Sequence, residues 1–112
     1  MPLYLWQGAY TSEAWATLVE KPQNRVQAIR PAIEKLGGKI HSAFFSFGKY
    51  DVVLIVEMPD NVSAAALSMA IAAGGAVKAD QTTVLMSPDD GLAAMKKAAT
   101  SSYRPPKAKE RS

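Results

Sequence analysis

The sequence has no cysteine. That excludes disulfides, thiolate nucleophiles and zinc sites built on cysteine. A cysteine-free chain suits a reducing compartment, so a cytoplasmic location is expected. There is one histidine, His41. A single imidazole without thiolates is too little for a dedicated zinc centre, and neither a metal site nor a bound cofactor is expected. Long apolar runs are also missing. The longest uncharged stretch, residues 61–77, is rich in Ala, Ser and Gly. It falls short of the roughly 20 apolar residues a membrane-spanning helix needs. The opening residues MPLYLWQGAY carry no basic region and no long apolar core, so no secretory signal is expected.

Charge is sparse and uneven. Charged residues make up 21% of the chain, which leaves little polar cover and favours an oligomer. The net charge of +3 equals that of the stretch SSYRPPKAKERS alone, so residues 1–100 are neutral. A neutral body without a basic, aromatic-interleaved strand pattern speaks against nucleic-acid binding. The glycine pairs at 37–38 and 74–75 lack the GxxxxGK[ST] spacing of a phosphate loop, and no GxSxG elbow is present.

What is present is a succession of periodic segments in 112 residues, the length of one domain. Residues 3–10 read as a strand. Thr11 and Ser12 are helix caps followed by Trp15, Leu18 and Val19 at helical spacing, up to Pro22. Val26, Ile29, Ile33 and Leu36 line one face of a second helix, which Pro31 kinks or restarts and which Gly37 and Gly38 close. Residues 39–47 and 51–58 read as strands joined by a tight turn at Gly48, Lys49 and Tyr50, an antiparallel hairpin. Pro59, Asp60 and Asn61 start a helix without any charged residue, which predicts cover on more than one side. Residues 76–86 form a fourth strand. Ser87 with Pro88, Asp89 and Asp90 opens a last helix. Residues 101–112 lack periodicity and contain adjacent prolines, which predicts a flexible basic tail after a domain at residues 1–100.

The order β-α-β-β-α-β plus a C-terminal helix predicts an α+β, ferredoxin-like fold with a four-stranded antiparallel sheet. Both helices would cover one face. Strict alternation sorts the second strand into Ile40, Ser42, Phe44 and Ser46 against His41, Ala43, Phe45 and Phe47. The third strand is apolar on both sides, with Val52, Leu54 and Val56 opposite Val53 and Ile55, so both faces must be covered. A second copy packed sheet to sheet would do this, and a homodimer is the expectation.

The segments YLWQGAYT, LGGKIHSAFFSFGKYDVVLIVEMPDN and AAALSMAIAAGGAV closely resemble the GYD-domain family across about residues 3–95. The namesake glycine, tyrosine and aspartate correspond to Gly48, Tyr50 and Asp51, with Lys49 between the first two. The resemblance implies a small bacterial protein of the dimeric α/β-barrel type. That superfamily contains cofactor-free monooxygenases, isomerases and haem-handling proteins, so the kinship names no reaction.

Two readings of the candidate residues follow. In the first, FGKYD is a hairpin bend, in which Gly48 adopts positive φ and Asp51 accepts backbone N–H bonds. The protein is then a binding or interaction module. In the second, it is a cofactor-free enzyme acting on a small aromatic or carbonyl metabolite. His41 would be the acid–base group, because its pKa lies near neutrality, with Asp51 or Tyr10 assisting. Trp6, Tyr10, Phe45 and Tyr50 are candidate ligand contacts, since small-molecule pockets are mainly aromatic with few polar groups.

Overall fold

A computed structural model of the chain describes residues 1–106. The elements are β1 (Leu3–Tyr10), α1 (Ser12–Glu20), α2 (Arg25–Lys35), β2 (Lys39–Phe45), β3 (Val52–Glu57), α3 (Asn61–Ala73), β4 (Val77–Leu85) and α4 (Pro88–Ala98). All strand pairs are antiparallel, in the order β2-β3-β1-β4. This is the expected α+β, ferredoxin-like arrangement, with α1 and α4 added to it. Residues 101–106 form neither helix nor strand, and the rest of the predicted tail lies outside the described residues.

Helix starts follow local chemistry. Thr11 Oγ1 accepts from the Ala14 amide at 3.0 Å, Asp60 Oδ1 from Ser63 at 2.8 Å and Ser87 Oγ from Asp90 at 3.0 Å. Each side chain satisfies an amide that the first helical turn leaves without a partner. The bond from Ser63 also holds the Asp60 carboxyl below the usual carboxylate range. At the far ends of α2 and α3, Gly37 and Gly75 take φ values of +89° and +80°, a conformation that side chains resist. Helix α2 runs unbroken through Pro31.

The two faces of the sheet differ as the pleat requires. Tyr4, Trp6, Val52, Leu54 and Val56 point to the helices and join Ile33, Met58, Ala64 and Leu67 in the core. Leu3, Leu5, Val53 and Ile55 occupy the other face and stay half-buried. Strand β2 breaks the expected alternation. Ile40 pairs with Val56 and Ser42 with Ile55, so His41 is the extra residue of a bulge. Ile40 therefore shares the helix side with Ala43 and Phe45, not with Ser42 and Phe44.

The hairpin is also wider than predicted. β2 ends at Phe45 and β3 begins at Val52, and the loop is closed by Ser46 N–H to the Asp51 carbonyl at 2.8 Å. The reversal is spread over residues 46–51. Gly48 keeps an ordinary φ, and a Cβ there would meet nothing. Helix α3 buries only Ala64 and Leu67, while Val62 and Met69 are exposed, so within one chain it is covered on a single side. Helix α4 buries no residue.

Gly8 is required by packing. A Cβ at this position would overlap the Trp6 ring, which lies across it. Gly8→Ala is expected to push the indole out of its seat and to destabilise by about 1–3 kcal/mol, read as a lower urea midpoint. An unchanged midpoint would show that the ring has room to move aside.

Candidate functional site

Helix α2 packs on β2 and α3 on β4. Between them lies a cavity of about 950 Å³. That is near the upper end for small-molecule sites, roughly 300–1,000 Å³. Its floor is Trp6, Val52 and Leu54, its walls include Val26 and Ile29 from α2 and Leu36 at the C-cap of that helix, and Leu67 and Ile71 face them from α3. The helical spacing of these residues, read from the sequence as core, also builds the walls of the chamber.

The floor is pinned by one carboxylate oxygen. Asp80 Oδ2 accepts from Trp6 Nε1 at 3.1 Å and from Ser68 Oγ at 2.6 Å. This joins β1, β4 and α3. Tyr4 adds a second tie between sheet and helix, donating its hydroxyl to Asn61 Oδ1 at 2.6 Å. Polar atoms on otherwise apolar rings thus find partners where they are buried, as they must.

At the hairpin end, Asp51 takes a different role from a turn lock. Its Oδ2 accepts from the Tyr10 backbone N–H at 2.9 Å and from Trp15 Nε1 at 3.3 Å, while its own amide donates to the Gly8 carbonyl at 2.8 Å. The carboxylate therefore joins the end of β1 and helix α1 to the hairpin. Tyr10 and Trp15 meet edge to face, with centroids 5.3 Å apart and planes at 79°. The bend itself is held by Ser46, whose hydroxyl donates to the Tyr50 carbonyl at 2.7 Å. The Tyr50 hydroxyl reaches out to Gln81 Oε1 at 3.1 Å, with the Lys49 ammonium 5.7 Å from its ring centre.

Burial pushes the Tyr10 hydroxyl above its ordinary pKa; Arg25 beside it pulls the other way and the Asp51 charge adds to the rise. At neutral pH the group is a phenol, able to donate one hydrogen bond.

The predicted site residues fall in separate places. Trp6, Tyr10 and Phe45 line the cavity; Tyr50, His41 and Asp51 do not. His41 is exposed on its bulge, next to the partner of Ile55. At about 3.3 Å per residue, that is about 13 Å along the strand from Asp51. Arg25, Asp80 and Ser68 escaped the sequence reading. Asp80 had a weak signal, the only carboxylate in its strand, two residues after Lys78. Arg25 had only its place after the Asn24 cap. Among the described residues, no group of three or more His, Cys, Asp or Glu could hold a metal ion, and no helix is long and apolar enough to cross a membrane.

The GYD domain family matches residues 4–95. The chain belongs to the GYD domain family. The match begins one residue into β1, takes in the other three strands whole and stops within α4. No curated protein and no solved structure matches the chain.

Asp51→Ala in this GYD domain leaves the half-buried Tyr10 amide without its acceptor. The expected loss is about 1–3 kcal/mol in urea unfolding. Asp51→Asn keeps an acceptor oxygen and should recover a good part of it. Equal midpoints for all three proteins would mean that water replaces the carboxylate at no cost.

Proposed function

We propose that this GYD domain is a small-molecule-binding module that works as a homodimer. The cavity between α2, α3 and the sheet carries the first half of this reading. It is large, mostly apolar and lined by the aromatic groups Trp6, Tyr10 and Phe45. Its apolar lining is partly open to solvent, so an apolar ligand seated there would cover surface that otherwise faces water. The free face of the sheet supports the second half. Leu3, Leu5, Val53 and Ile55 lie together there, outside the buried core cluster, and the exposed Phe44 extends the patch beside Val53. An apolar sheet face of this kind is covered economically by a second copy of itself.

Binding is favoured over catalysis by the acid–base groups. His41 stands outside the cavity, and Asp51 Oδ2 is already engaged by Tyr10 and Trp15. A general base must reach the reacting proton within about 3 Å or through one water. Neither group offers that reach to a molecule between α2 and α3.

Light scattering at micromolar concentration is expected to give the mass of two chains, and Ile55→Lys to give that of one. A monomeric unmodified protein overturns the dimer. For the cavity, Trp15→Phe leaves Trp6 as the sole tryptophan, so its emission reports on the floor. Small apolar molecules should shift that emission in a saturable way, and Ala70→Trp or Ile71→Trp, which fill the wall, should suppress binding. An emission indifferent to every such molecule counts against a binding role.

A further inference from the structure

The binding-module reading leaves the ligand class open, and the wall chemistry narrows it. Among the described residues lining the cavity, Arg25 is the one that carries a formal charge; no Asp or Glu shares the lining with it. Arg25 is the first residue of α2 and stands beside Gln23 and Asn24 at one end of the chamber. Its Nη1 donates to Gln23 Oε1 at 3.1 Å, which uses one of the five N–H donors of the guanidinium. Tyr10 lines the same end. The rest of the lining is apolar, aliphatic on the helices with Trp6 and Phe45 on the strands. A lone cation at the rim of an apolar chamber rewards a ligand that brings the opposite charge and an apolar body, and penalises one that brings a second positive charge.

Resting on the binding-module reading, we infer that the cavity takes a small amphiphilic carboxylate. Its head pairs with the Arg25 guanidinium and accepts the Tyr10 hydroxyl proton in a hydrogen bond, and its aliphatic or aromatic body lies between α2 and α3. The planar fork of arginine matches a carboxylate with two parallel hydrogen bonds, which a neutral alcohol or amide cannot reproduce. Burial keeps the Tyr10 group protonated, so it remains a donor to the same head. Trp6 supplies a flat surface for the body and holds its position through Asp80.

Calorimetry on the full chain with five probes tests this. Octanoate is compared with octan-1-ol, and 2-naphthoate with 2-naphthamide, with octylammonium as the opposite charge. At least one carboxylate is expected to bind tenfold or more tightly than its neutral partner, and octylammonium more weakly than either. Arg25→Gln should erase that preference while leaving the neutral probes unchanged, and Tyr10→Phe should weaken the carboxylate several-fold. Arg25 is exposed, and the thermal midpoint of Arg25→Gln checks that the fold survives. Should that variant fail to fold, the charged-against-neutral ratio of the unmodified protein still decides. Neutral and anionic probes binding alike, or a preference that survives Arg25→Gln, overturns the carboxylate assignment and leaves the binding role standing. No binding by any of the probes overturns both.

Discussion

The Trp6 indole can lie flat on the sheet because Gly8, two residues on along the same face, has no side chain to lift it. Much of the helix side of the molecule depends on that seat. The ring fills the centre of the sheet face and carries a single polar atom. That atom finds Asp80 on the neighbouring strand, and Asp80 holds Ser68 of α3 with the same oxygen. One small residue thus allows one large one, and the large one fixes a helix at a set height above the strands. Were the ring upright, it would occupy the space between α2 and α3 that is now open.

A second carboxylate does comparable work on the other side of β1, where the hairpin meets the end of that strand. Asp51 gathers the last amide of that strand and the indole of Trp15 on one oxygen. Its position in the FGKYD stretch suggested a residue that serves its own bend. The structure assigns the bend to Ser46 and turns Asp51 toward the strand and helix beside it. The Gly-Tyr-Asp signature of the family is therefore a three-way junction here. Tyr50 reaches across to β4, Asp51 reaches across to β1 and α1, and Gly48 is left without a steric requirement.

Much of the architecture was legible in the chain. Caps at Thr11, Asp60 and Ser87, the apolar face from Val26 to Leu36 and the twofold pattern of β3 each have a local physical cause, and local causes survive into the fold. Alternation along residues 3–10 separates Tyr4, Trp6 and Gly8 from Leu3, Leu5 and Gln7, but no local cause selects which set faces inward. The bulge at His41 was invisible, because KIHSAFF contains no glycine or proline to mark a break in the pleat, and strict alternation then mis-sorts Ile40. The width of the hairpin was missed for a related reason: a glycine next to a lysine invites a tight turn, whereas hydrogen bonds from Ser46 spread the reversal across six residues. Arg25 and Asp80 become meaningful only once distant segments meet. An arginine after a helix cap looks like any solvated charge until the walls around it prove to be apolar.

The walls of the chamber include Ala28 and Ala32 on α2 and Ala70 on α3, all small and all outside the buried core cluster. The fold does not lean on these positions, yet they border the open volume. Exchanging one for a longer aliphatic side chain subtracts space without disturbing a core contact. The volume of the chamber can thus drift by single substitutions at little expense in stability.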